Sequence, residues 1–139
     1  MRVIGLDLGA RWVGVAVSDS AGTVALPHST LERTGDPERD RDALVELVGE
    51  LGAERVIVGL PLRLDGRRGA AARAAALEAA DLAGVLSGQG VEVETFDERL
   101  TTVSAERELA AAGRRGADRR RVVDRSAAAV MLQAWLDGR

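Results

Sequence analysis

Three strand-like runs succeed one another with almost no chain between them, and every later strand-like run is reached only through a helix-like stretch. This change of connection constrains the 139-residue chain more than any other feature. Arg2–Leu8 and Trp12–Ser18 are β-rich runs separated by Gly9-Ala10-Arg11, and Asp19-Ser20-Ala21-Gly22 leads to a third run from Thr23 to Leu31. Connections this short imply an antiparallel meander. The period then changes. Asp36 is an N-cap followed by Pro37 at the first helical position, Leu44, Leu47, Val48 and Leu51 recur at helical spacing, and Gly52 closes the segment.

Arg55–Leu60 carries the continuous apolar run Val56-Ile57-Val58, as expected of a strand covered on both faces. After the loop Pro61–Gly69 an Ala-rich helical stretch runs to Leu86, Gly88-Gln89-Gly90 ends it, and Val91–Phe96 is a further strand. Two more helices are expected, over Thr102–Ala112 and Val122–Leu136, with an Arg-rich loop between them. The order is β-β-β-α-β-α-β-α-α. Strands reached through helices favour parallel pairing with right-handed crossovers. The expectation is an α/β fold whose five-stranded mixed sheet, three antiparallel then two parallel strands, is flanked by helices. This order matches the ribonuclease-H-like fold, although the helix count alone does not distinguish it from other α/β sandwiches; one domain over residues 1–139 is expected, because the length leaves no room for a second core of ordinary size.

The residues available for chemistry are few. There is no cysteine, which excludes disulfides, thiolate metal sites and Cys nucleophiles. His28 is the sole histidine, which excludes a His-cluster metal site and argues against a Ser-His-Asp triad. Catalysis must rest on carboxylates, hydroxyls, Arg and backbone. With one Phe, two Trp and no Tyr, the core must be built from Val, Leu, Ile and Ala. All 19 basic residues are arginine, so each positive group is a planar fork that can grip phosphate. Residues 1–98 carry 10 Arg against 17 acids, giving −7; residues 99–139 carry 9 Arg against 5 acids, giving +4. That asymmetry points to a polyanion partner for the C-terminal third, although a solvated loop explains it as well. The start MRVIGLDLG is broken by Asp7 and too short for a signal-peptide core, and no uncharged stretch has the length of a membrane span. A cytoplasmic protein without a membrane partner is expected.

Asp7 falls near the end of the first strand, inside an otherwise apolar segment. A carboxylate there must coordinate a cation, be paired or reach solvent at the strand end. Gly5 on its own strand face, with Gly14 and Ala16 on the next strand, would let a helix or ligand approach the sheet closely. Asp124, Ala128, Met131 and Trp135 form one face of the last helix, which is suited to that approach, though Asp124 could instead complement the helix N-terminus. Asp97 and Glu98 come directly after the last strand, where ligand sites of open α/β sheets collect, and Asp97 or Thr102 is a candidate cap for the next helix. Asp7, Glu98 and Asp124 can therefore converge. Oxygen ligands without His or Cys suit Mg²⁺ or Mn²⁺ rather than Zn²⁺. Two such ions serve phosphodiester cleavage. Asp19 lies roughly 20 Å from Asp7 by strand arithmetic and belongs to a turn. His28 is expected at the surface or in packing.

Positive residues flank these carboxylates. The stretch Gly113–Arg121, GRRGADRRR, is expected to be a loop, and its Arg114, Arg115, Arg119, Arg120 and Arg121 stand with Arg125 just before the carboxylate helix. With Arg11 and Trp12 after the first motif, and Arg99 after the third, they are the expected nucleic-acid contacts. Trp12 is placed to stack on a base.

The segments GLDLGARWVGVAVSD (5–19), VIVGLPLRLDG (56–66), FDERLTT (96–102) and VVDRSAAAVMLQAWL (122–136) together resemble the YqgF/RuvX family, the Holliday-junction-resolvase-like or pre-16S rRNA nucleases. They cover nearly the whole chain in the family's order. The resemblance implies a ribonuclease-H-like, divalent-metal nuclease with Asp7, Glu98 and Asp124 as its acidic triad, and the 5′ end of the small-subunit rRNA precursor as substrate. Three positions depart from the family's pattern: Arg11-Trp12 stands in place of a Lys-Arg pair, Arg63 in place of an Asn, and the helix after the second motif is mostly Ala. These bear on substrate contacts, not on metal ligands. The alternatives are a four-way DNA junction resolvase and a non-catalytic nucleic-acid-binding module. A monomer or weak dimer is expected, because the apolar stripe of each helix is needed to cover the sheet.

Overall fold

The computed structural model describes residues 1–63, 65–101 and 116–139, the last stretch with side chains from Ala127 onward. The described elements are β1 (Val3–Leu8), β2 (Trp12–Ser18), β3 (Ala25–Glu32), α1 (Pro37–Leu51), β4 (Arg55–Leu60), α2 (Ala70–Leu86), β5 (Glu92–Asp97) and α3 (Gly116–Asp137). The helix expected over Thr102–Ala112 lies outside the described residues, as do Arg114 and Arg115. The sheet order is β3-β2-β1-β4-β5, antiparallel across β3-β2-β1 and parallel across β1-β4-β5. This is the mixed sheet expected from the connections. The short links after β1 and β2 can only turn a strand back, whereas α1 and α2 carry the chain across to parallel partners.

Period-two alternation divides the sheet into two working faces. Ile4, Leu6, Val13, Val15, Val56 and Val58 point to α1 and α2, where Leu44, Val48, Ala79, Leu82 and Leu86 complete one core. Val3, Ala16 and Ile57 point to α3, against Ala127, Ala128, Met131, Leu132 and Leu136. α1 starts where its cap chemistry requires. The Asp36 carboxylate accepts from the Glu38 and Arg39 amides, Pro37 opens the helix, and Gly52 at φ +64° ends it.

On the second face the contact is backbone-close. A Cβ built on Gly5 would lie 2.9 Å from Leu132 Cβ and 3.2 Å from the Ala128 carbonyl oxygen, so only glycine admits the helix at this depth. Gln133 ties α3 to the edge strand, accepting from the Ala25 amide at 2.8 Å and donating to the Thr23 carbonyl at 3.0 Å.

One expectation is corrected. The Arg-rich stretch is not loop throughout: α3 begins at Gly116, so Arg119, Arg120, Arg121 and Arg125 lie on the helix that carries Asp124. Alanine and arginine are strong helix formers, and a run of them extends a helix already anchored by its apolar half. The strand edges also shift slightly, with β3 beginning at Ala25 and β5 ending at Asp97.

Candidate active site

Asp7 lies one residue from the end of β1, opposite Gly14, on the face toward α3. It is 3% exposed. Glu98 arrives from the other side. β5 ends at Asp97, whose side chain accepts from the Arg99 amide at 2.9 Å and so starts a short 3-10 turn over Glu98–Leu100. The Thr101 amide and hydroxyl both donate to the Glu98 carbonyl, at 3.1 and 2.9 Å, which closes that turn. The turn folds the Glu98 side chain back over the sheet onto Gly59 of β4, where a Cβ would overlap its carboxylate. Glu98 is 1% exposed.

The two carboxylates thus reach one face from β1 and from the end of β5. Leu6 pairs with Val58, so one step further along the same register Gly59 lies beside Asp7 and forms the floor between it and Glu98. Gly14, opposite Asp7, keeps a side chain out of this space, whereas the gap over Gly5 is filled by Leu132 and Ala128 of α3. Gly59 had no part in the sequence expectations. The available signal was a glycine inside an otherwise apolar strand, which marks a close approach by another group.

α3 supplies the remaining expected carboxylate. Its C-terminal end is bonded near Gly22, and Ala128 lies over Gly5, so the helix runs antiparallel to β1. Asp124 is four residues nearer the helix start than Ala128, about 6 Å at 1.5 Å per residue. Asp7 is two residues beyond Gly5, about 6.6 Å along the strand. Residue 124 therefore comes level with Asp7 along the helix axis, its side chain lying outside the described part. Among the described residues no group of three His, Cys, Asp or Glu side chains is assembled. The donor set is all oxygen and buried, seated in a cradle that a single Cβ would fill. That fits a hard divalent cation such as Mg²⁺ or Mn²⁺.

The flanking residues divide into exposed and engaged. Arg11 is exposed, pairs with Glu32 at 3.4 Å, and sets its guanidinium 5.6 Å from the centre of the Trp12 ring. Trp12 is half-buried and shares the face of Gly14, hence of Asp7. Arg99 is engaged within the protein: its guanidinium approaches Asp97 to 2.6 Å, which holds the Asp97 carboxyl below the usual carboxylate range, and it packs against Gly66. Asp19 is the turn residue expected. It accepts from the Thr23 hydroxyl and from the Thr23 and Val24 amides, and these bonds pull its pKa down to about 2. His28 is exposed beside Ser29.

One feature near Asp7 was not visible in the sequence. Arg33 holds Glu78 of α2 by two bonds of 2.7 and 2.9 Å, and its Nε donates to the Gly9 carbonyl at 3.0 Å. Its amide donates to the Arg11 carbonyl at 2.8 Å. The turn after Asp7 is therefore clamped to α2.

The sequence profile described as "RuvX: Holliday junction resolvase" matches residues 1–138. The chain belongs to the RuvX family. A Myxococcus xanthus relative is 45% identical over 137 residues, covering 99% of this chain and 88% of its own length. An Anaeromyxobacter dehalogenans relative is 44% identical, covering 100% and 98%. Both are named "Putative pre-16S rRNA nuclease". Among solved structures, RuvC of T. thermophilus in complex with a Holliday junction superposes with a TM-score of 0.65 at 17% identity, covering 99% of this chain and 94% of that one. The yeast mitochondrial Holliday junction resolvase Ydc2 superposes at 0.55 and 11% identity, covering 96% and 77%. At those identities the likeness is one of fold. The RuvX chain shares the resolvases' sheet and places buried carboxylates on it. Among its described residues no helix is long and apolar enough to cross a membrane.

Proposed function

We propose that this RuvX-family protein is a divalent-metal-dependent endonuclease that hydrolyses phosphodiester bonds in structured RNA. Its substrate is the 5′ end of the precursor of 16S rRNA, and Asp7, Glu98 and Asp124 are its acidic residues. The observation that carries this reading is the meeting of Asp7 and Glu98, both buried, over the glycine floor of β4. Two carboxylates converging on one buried cradle offer the all-oxygen donor set that a hard divalent cation prefers. When bound, one or two Mg²⁺ or Mn²⁺ ions supply Lewis-acid neutralisation of the phosphate and raise the acidity of the attacking water. The chain's own residues do the rest. Asp7 and Glu98 would hold the cation, each kept in place by its strand or turn, with Asp124 of α3 as the third candidate ligand. Trp12 offers a ring to an unpaired base, and the arginines in the sequence of α3 are the candidate phosphate contacts. The names of the 44–45% identical relatives support the RNA substrate.

The test is cleavage of matched RNA-precursor and four-way DNA junction substrates with Mg²⁺ and Mn²⁺, using Asp7→Asn as control. Metal-dependent cutting of the RNA that the variant lacks is the expected result. The family's description favours a second reading, resolution of DNA junctions. Paired cuts in a junction need two active sites related by a two-fold axis. We expect a monomer or weak dimer by sedimentation. A tight dimer together with symmetric junction incisions would promote the resolvase reading instead.

A further inference from the structure

The loop between β4 and α2, residues 61–69, leaves the sheet two residues after the glycine that floors Glu98. Its described residues are held by hydrogen bonds among themselves. The Gly66 amide donates to the Arg63 carbonyl at 2.8 Å, the Arg63 amide to the Arg67 carbonyl at 3.0 Å, and the Arg67 amide to the Asp65 carboxylate at 2.9 Å. Gly66 sits at φ +85°, which favours glycine. The turn is docked beside the carboxylates, because the Arg99 guanidinium packs on Gly66, with Nη1 3.1 Å from where a Cβ would be. Arg99 is the residue after Glu98.

This docking presents three further arginines. Arg63, Arg67 and Arg68 are all exposed. The sole acid of the loop, Asp65, meets Arg67 at 3.6 Å, with the two side chains 55% and 80% exposed. A pair so open to water is worth little and yields readily to a competing anion. Arg99 is neutralised by Asp97, so it adds structure more than field. The loop ends at Gly69, the start of the 17-residue α2, whose first turn contains no acidic residue to offset its positive end.

We propose that Arg63, Arg67 and Arg68 form a phosphate-binding subsite, holding the backbone of the nucleic acid on the β4–β5 side of the carboxylates. The identity of the polyanion rests on the nuclease reading; the placement of the charge does not.

The experiment measures binding of a fluorescently labelled RNA hairpin by anisotropy, in EDTA, across a series of potassium chloride concentrations. Wild type is compared with Arg63→Ala/Arg67→Ala/Arg68→Ala and with the corresponding triple Lys variant. The Ala variant should lose about two to three units of the slope of log affinity against log salt, and at least tenfold in affinity at low salt. The Lys variant should keep most of the slope. Should the triple Ala variant melt early, single Arg67→Ala and Arg68→Ala variants should each remove about one unit. An unchanged slope and affinity, with wild type binding normally, would overturn the subsite and leave the nuclease reading standing. Failure of wild type to bind either the RNA hairpin or a DNA one would overturn both.

Discussion

The carboxylate of Glu98 fills the space that the missing side chain of Gly59 leaves over β4. The glycine lets an acid from the end of the neighbouring strand, β5, reach the face that carries Asp7.

Gly59→Ala should therefore displace Glu98. Misplacing a catalytic group by about 1 Å costs on the order of 10²-fold in rate. Overpacking of the sheet should cost ~1–3 kcal/mol of stability. Single-turnover cleavage with a magnesium titration, alongside urea unfolding, checks both. A wild-type rate at ordinary Mg²⁺ would show that the position of Glu98 does not matter to the chemistry.

Asp7→Asn is nearly isosteric and removes one of two buried like charges. The fold should persist, cleavage should vanish, and in EDTA the melting temperature should stay near that of wild type. A clear loss of stability would mean that the Asp7 carboxylate is chiefly a structural acceptor.

Gly5→Ala tests the contact between sheet and α3. With Leu132 Cβ at 2.9 Å and the Ala128 carbonyl at 3.2 Å, a methyl group must push the helix outward. A destabilisation of ~1–3 kcal/mol is expected in denaturant melts. Because Asp124 rides on the same helix, cleavage should fall as well. Unaltered stability would be incompatible with the depth at which α3 packs.

The Arg33–Glu78 pair has side chains only 20% and 24% exposed, so it should resist salt better than the open Arg11–Glu32 pair. Glu78→Gln should cost ~1–2 kcal/mol. Arg33→Lys should fail to restore the clamp, since an ammonium cannot engage both carboxylate oxygens and the Gly9 carbonyl in one plane. Hydrogen exchange at the Gly9 and Arg33 amides, which donate to the Trp12 and Arg11 carbonyls, should speed up in both variants. Protection equal to wild type would dissociate the clamp from the turn.

Asp19 offers a pH test. Its three hydrogen bonds favour the charged form, so the carboxyl ionises at about 2 in the folded chain against an ordinary 3.8. The stability it adds is present above the unfolded value and is lost as pH falls through about 2. Asp19→Asn should flatten the acid limb of stability between those values and leave neutral-pH cleavage intact. Carboxyl carbon shifts titrating near 3.8 in the folded protein would refute the assignment.

Much of this protein was legible in local sequence. Pro37 after Asp36, Gly52 after Leu51 and the uninterrupted Val56-Ile57-Val58 are signals read over a few residues, and they bound α1 and β4 where the structure has them. The small residues at 5, 14 and 16 announced a face open to close approach, because strand periodicity alone puts them together. Asp7 stood out as a charge within an apolar strand. The extent of α3 was less legible, since arginine is at home in both loops and helices and only the anchored C-terminal half makes the helix continue.

What only the tertiary structure decided is which distant groups meet. Whether Asp97 or Glu98 turns inward depends on a single 3-10 turn and on a glycine 39 residues earlier in the chain. Arg33 finds Glu78 across 45 residues, and Arg99 seats the 61–69 turn from the next strand over. Local sequence determined the elements and their order, because hydrogen-bond periodicity, capping and turn chemistry act over a few residues. The active-site floor, the clamp on the first turn and the docking of the arginine loop arise from packing between elements. There the shape of one side chain is matched to the absence of another, and no short-range pattern encodes that match.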